Sequence, residues 1–150
     1  MSTTIRQQIV SAVGTRLATI KTTGGYQTNL GNSVYEWLQA PLNEDDPVTL
    51  IYRDRGNVVV RAIGCHEHTM MLEILLAMTH AASPATVRNM IADVIQCVGT
   101  DVTWGGLAQD TGAVSDEEIE FEHSGRKVAG ISLKFEIEYT TAPFDPYTEA

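Results

Sequence analysis

Apolar residues recur along this chain in two rhythms, one of three to four residues and one of two. Ile5, Ile9, Ala12, Val13, Leu17 and Ile20 fall three or four apart, which puts them on one stripe of a helix. Arg6, Gln7, Gln8, Ser11 and Thr15 fall largely on the other side, and Ser2, Thr3 or Thr4 is placed to cap the start. A second helix opens at Ser83-Pro84, a capping residue followed by proline at the first helical position. Val87, Met90, Ile91, Val94, Ile95 and Val98 carry its stripe and Gly99 closes it, with Cys97 off the stripe at its edge.

Elsewhere the rhythm is two. In "TMMLEILLAMT", Met70, Leu72, Ile74, Leu76 and Met78 alternate with Met71, Glu73, Leu75 and Ala77. This predicts a long central strand, apolar on both faces at its far end; a helix is the competing reading, because Leu, Met, Ala and Glu all favour one. "VYEWLQA" reads as a strand cut off by Pro41, and "LNEDD" before Pro47 as an acidic turn. "VTLIYRD" reads as a short strand ending at Arg55-Gly56, and "VVVRAI" over 58–63 is strand-like. A closing hairpin follows: Ile119 and Phe121 alternate with glutamates 118, 120 and 122, and "HSGRK" turns the chain. Ile131, Leu133, Phe135, Ile137 and Tyr139 then alternate with Ser132, Lys134, Glu136 and Glu138. One face is dry and one wet, each inward side chain contributing about 1.5–3 kcal/mol.

The segment Lys21 to Ser33, "KTTGGYQTNLGNS", is a loop or irregular hairpin, with Gly24, Gly25 and Gly31 available for positive backbone angles. The order α-β-x-β-β-α-β-β, with x irregular, predicts an α+β fold: a mixed, mostly antiparallel sheet with two amphipathic helices packed on one face. Residues 1–140 form a single domain in this reading, and 141–150, with two prolines, an extended tail.

With 150 residues, 43% apolar and 19% charged, the chain can bury a core without disulfides or metals. No apolar run approaches the roughly 20 residues of a membrane span. "MSTTIRQQIV" lacks the basic start and apolar block of a signal peptide, so an intracellular setting is expected, with Cys65 and Cys97 as free thiols. The net charge is −9, and no basic cluster is there to face phosphates. Sequence-specific nucleic-acid binding is therefore not expected.

Candidate chemistry is sparse. In "CHEHT", His66 and His68 would share a strand face as candidate metal ligands, but zinc asks for three or four convergent groups. His80 and His123 could join them only through the tertiary fold, and the ordinary reading is a polar strand entrance. The glycines from 24 to 31 lack a Gly-Lys-Ser/Thr ending and a following helix, and no Gly-x-Ser-x-Gly occurs. Neither a catalytic residue nor a cofactor is expected. The outer glutamates of the hairpin make either a solvated face or an acidic assembly surface. "TWGGLAQDTG", Thr103 to Gly112, sets an indole beside two glycines with a carboxylate nearby, and poses whether it holds a ligand or the protein's own backbone.

Four segments resemble a known family when taken in order. "GYQTNLG" after the first helix, "VYEW", the helix "ATVRNMIADVIQCVG", and "TWGGLA" before the hairpin look like the phage minor tail proteins of the lambda U type. These are tail terminators of phages and prophages, and the likeness runs from about residue 3 to Tyr139. It implies a hexameric ring that caps the tail tube, ends its growth and prepares head joining. Its partners would be its own copies, the tail tube protein and a head-completion protein. Its place would be the host bacterial cytoplasm during assembly and then the virion tail. Trp104, Gly105 and Gly106 would then be architectural, and Tyr26, Glu136 and Glu138 candidates for the assembly surface. The alternative is a non-virion protein-binding adaptor domain without catalytic activity; a small metal-dependent enzyme ranks third.

Overall fold

The first helix, α1 (Ile5–Leu17), starts where Thr4 accepts a hydrogen bond from the Gln7 amide at 3.0 Å. Ile5, Ile9, Val10, Val13 and Leu17 are buried along it, and Ile20 just beyond its end. Gly14 is where this helix touches the sheet. A Cβ there would lie 2.3 Å from the Tyr52 hydroxyl, so only glycine admits that approach.

The computed structural model describes residues 3–37, 48–78, 83–123 and 126–150, with backbone alone for 120–123 and 126–129. After α1 the chain makes two short 3₁₀ turns, at Thr22–Gly24 and Leu30–Asn32. Of the three glycines expected to take positive angles here, Gly25 does, at φ 93°. Gly31 serves differently: a Cβ on it would lie 2.5 Å from the Ala18 carbonyl oxygen, and its amide donates to Ile20 at 2.8 Å.

The remaining elements are β1 (Val34–Glu36), β2 (Val48–Ala62), β3 (Cys65–Met78), α2 (Pro84–Val98), β4 (Asp110–His123), β5 (Arg126–Ala142) and β6 (Asp145–Glu149). They make an α+β chain with a mixed six-stranded sheet in the order β1-β2-β3-β5-β4, β6 pairing with the end of β5. Among the described strands only β1 against β2 is parallel. Pro41, the acidic turn before Pro47 and His80 lie outside the described residues.

Two expectations change. The strand expected to end at Arg55-Gly56 continues as one 15-residue β2, because the register shifts between Asp54 and Gly56 and a bulge absorbs the extra residue. Arg-Gly mimics a turn, but the β-branched run after it keeps the chain extended. At the other end, Thr141 and Ala142 finish β5, and Asp145–Glu149 folds back on it through Phe144 at φ 57°.

The second helix starts as its sequence dictates, Ser83 accepting from the Thr86 amide at 3.2 Å with Pro84 in the first turn. Its stripe is rotated from the expected one. Cys97 is fully buried, whereas Ile95 is 44% exposed. The tilt follows from contact with α1, whose Arg16 carbonyl receives the Cys97 thiol at 3.4 Å.

Alternation on β3 sorts the two cores. Met70, Leu72, Ile74 and Leu76 join the buried residues of α1 and α2 and the odd residues 131–139 of β5 in one cluster. Leu75 and Ala77 point the other way and form a smaller cluster with Ile51, flanked by Tyr35 and Ile119. No helix among the described residues is long and apolar enough to cross a membrane.

Candidate functional site

The "TWGGLA" segment folds by turning three successive residues left-handed: Trp104, Gly105 and Gly106 have φ of 53°, 74° and 91°. Glycine adopts this without strain, and tryptophan does not. The surroundings hold it there. The indole is 3% exposed and donates to Thr111 Oγ1 at 2.8 Å, and that hydroxyl donates to the Val102 carbonyl at 2.7 Å. Arg16 of α1 covers the ring, its guanidinium carbon 3.7 Å from the centroid, and gives Nη1 to the carbonyls of Val98 at 3.0 Å and Asp101 at 2.6 Å.

Asp101 is the pivot of the turn. One carboxylate oxygen accepts from the Thr103 amide at 2.9 Å and hydroxyl at 2.7 Å, the other from the Gly105 amide at 2.8 Å. The Thr103 hydroxyl, these two amides and Arg16 together hold its carboxyl down at about 2. Asp101 and Thr111 thus bond to backbone groups of the turn, and the indole and the Thr103 hydroxyl end on those two side chains.

The glycine-rich loop after α1 is fastened by a residue that sequence reasoning passed over. Asp93, 2% exposed in the middle of α2, accepts from the Gln27 amide at 3.2 Å and from the Thr28 amide at 2.9 Å and hydroxyl at 2.6 Å. Its signal was its position, three residues after Met90 and four before Cys97, a carboxylate on the buried stripe. Tyr26 is half-buried against the main core, and burial, then the neighbouring Cys97, pushes its hydroxyl pKa up.

On the sheet's other face Glu73 is 3% exposed and receives Arg53 at 2.8 Å, Arg55 at 2.9 Å and Ser132 at 2.8 Å. Burial alone would raise its pKa; the Ser132 hydroxyl and the two guanidinium groups outweigh that and lower it. Ser132 is therefore buried, where alternation along the hairpin placed it on the wet face. Glu136 and Glu138 are exposed on β5, as the same alternation expects. Arg53 also lies over Trp37, 4.0 Å from its ring centroid.

His66 and His68 share a face, with ring centroids 6.4 Å apart. His68 is fully engaged: one ring nitrogen meets Asn57 Nδ2 at 2.9 Å, the other Thr141 Oγ1 at 2.9 Å, and the ring stacks on Tyr139 at 4.5 Å. Burial, with the nearby His66, lowers its pKa. His66 meets Phe144 edge-on at 4.7 Å. The side chain of His123 lies outside the described residues, and among those described no three His, Cys, Asp or Glu gather as a metal-holding group. Cys65 and Cys97 are both free. No family model and no curated protein matches this chain.

Proposed function

We propose that this chain is a phage or prophage tail terminator, a structural protein that closes into a hexameric ring on the end of a tail tube. It ends tube growth and presents a surface for the head-completion protein. The observation that carries the reading is how polar side chains are used in the segments of the resemblance. Asp93 in the second helix holds the "GYQTNLG" loop, and Asp101, Thr111 and Arg16 hold the "TWGGLA" turn, each through at least one backbone group. That is the economy of a part shaped for assembly: rigid loops on a fixed scaffold, and chemistry spent on geometry. In this reading the two helices cover one face of the sheet, and the opposite face, with Glu136 and Glu138, stays free for neighbours.

The charge supports the same reading. Six chains at −9 carry −54, and a ring through which DNA slides is served by a lumen that repels phosphate. The test is absolute mass by light scattering coupled to gel filtration, with electron microscopy of the same fractions. A mass near six chains and a ring with an open centre are the expected result. A particle of another symmetry, or a lumen lined by basic side chains, overturns the reading.

A further inference from the structure

The sheet ends in two strand edges of opposite charge. β1 covers β2 only from Leu50 to Tyr52, so along Arg53–Ala62 the side of β2 away from β3 has no strand partner among the described residues. β4 likewise pairs, among the described residues, with β5 alone. From Arg53 to Arg61 the sequence is "RDRGNVVVR", three arginines and one aspartate; from Asp110 to Ile119 it is "DTGAVSDEEI", four acids and no base. In a chain of net −9 the first stretch is net positive by sequence, with two of its arginines, Arg53 and Arg55, sharing the buried Glu73. It also carries Val58, Val59 and Val60, exposed by 65%, 48% and 56%. A β-branched run on an open edge is what monomeric proteins guard against, and the bulge on β2 ends before these valines.

The backbone says which groups face outward. Leu50 donates to the Ser33 carbonyl and the Tyr52 carbonyl accepts from Trp37, so even positions look away from β3 at the start of β2. The bulge adds one residue at Arg55, and the outward positions become Asn57, Val59 and Arg61. Strand direction is compatible too. β2 and β5 both run antiparallel to β3, and β4 runs antiparallel to β5, so β4 opposes β2. A second copy rotated about an axis along the strands would present its β2 antiparallel to β4 of the first.

We propose that the β2 edge of one copy pairs with the β4 edge of the next, carrying the sheet across the subunit boundary. Two β4 edges would set acid against acid, whereas β2 against β4 sets base against acid, so the unlike pairing is favoured. The contact is heterologous and propagates into a ring or a filament. It rests on the tail-terminator reading for closure into a ring, but not for the contact itself.

The experiment compares the solution mass of the wild type with Val59→Pro and with Asp116→Lys/Glu118→Lys, each checked by circular dichroism and thermal melting. Proline at 59 removes an outward amide and spares the bonds to β3. The lysine pair reverses exposed charges on β4, and so keeps the test sound if the proline variant misfolds. The wild type is expected as an assembly of several copies, its mass falling in 1 M NaCl, and both variants as folded single chains. Assembly that survives either substitution in a folded variant overturns the edge contact and leaves the ring reading standing. A wild type that stays a single chain at every concentration also overturns the contact, and the terminator reading is then judged separately, by whether the protein caps tail tubes.

Discussion

Arg16 sits with its guanidinium carbon 3.7 Å above the Trp104 ring while the same group donates to the carbonyls of Val98 and Asp101. One side chain thus closes the end of α2 and fixes the turn that follows it. Arg16→Ala should destabilise the fold by about 2–4 kcal/mol, from the lost stacking and the charged hydrogen bonds together. Arg16→Lys should recover less than half, because an ammonium cannot lie flat on the indole and reach two carbonyls. Urea unfolding followed by Trp104 fluorescence in a Trp37→Phe background checks both.

Asp93 offers a sharper local test. Asp93→Ala leaves the Gln27 and Thr28 amides without their acceptor, at a cost of about 2–4 kcal/mol. Asp93→Asn keeps one acceptor oxygen and should fall between. Amide exchange at residues 27 and 28 should speed up in both variants, while that of β3 keeps pace with global stability alone.

Two glycines should defy helix and turn propensities. Gly14→Ala raises intrinsic helix propensity by roughly 1 kcal/mol, yet its Cβ would strike the Tyr52 hydroxyl at 2.3 Å. The clash is expected to win, with a net loss of about 1–3 kcal/mol. Pairing it with Tyr52→Phe, which removes the hydroxyl, should relieve part of the loss. Gly31→Ala meets backbone at 2.5 Å and should be worse, with no side-chain change to rescue it.

Acid should act at two places. The carboxyl of Asp101 titrates near 2 in the folded chain against an ordinary 3.8, so its stabilisation is complete above 3.8 and lost as pH falls through 2. His68 has a folded pKa below its ordinary 6.5, so the folded state resists protonation and stability declines as pH falls below 6.5. Asp101→Asn should flatten the stability curve between pH 4 and 2, and His68→Gln should flatten it just below 6.5. Urea midpoints at closely spaced pH values separate the two.

Reversing Glu136 and Glu138 together to lysine tests the face of the sheet rather than its edges. Both are exposed on an interior strand, so folding should be unchanged within about 0.5 kcal/mol. Loss of assembly would place this face in the subunit contact; an unaltered mass would remove both residues from it.

What the sequence revealed was what local chemistry decides. Ser83-Pro84 and Thr4 cap their helices as such residues do, and the alternation in β3 and β5 names the side chains that enter the main core. What it hid depends on partners far along the chain. Glu73 stands as a lone carboxylate in an apolar run, and nothing local records that Arg53, Arg55 and Ser132 arrive from two other strands to bury it. Gly56 reads as a turn, and only the continued pairing with β3 turns it into a bulge. Gly14 and Gly31 are needed for what lies opposite them, which no local pattern records. At the candidate site the indole-glycine motif was visible, whereas Asp93 and Arg16, which fix the two loops, were legible only as ordinary helix residues.

The grip of Arg16 on residues 82 and 85 positions later also sets a timetable for the growing chain. At a synthesis rate of about 5–20 residues per second, α1 leaves the ribosome some 4–17 seconds before Val98 and Asp101 follow it out. Its apolar stripe, which ends up against β3 and β5, meets β3 within that interval but waits for α2 and β5 to complete its cover. The helix made first is thus among the last to settle, and chaperone demand should fall sharply once Trp104 and the closing hairpin have emerged.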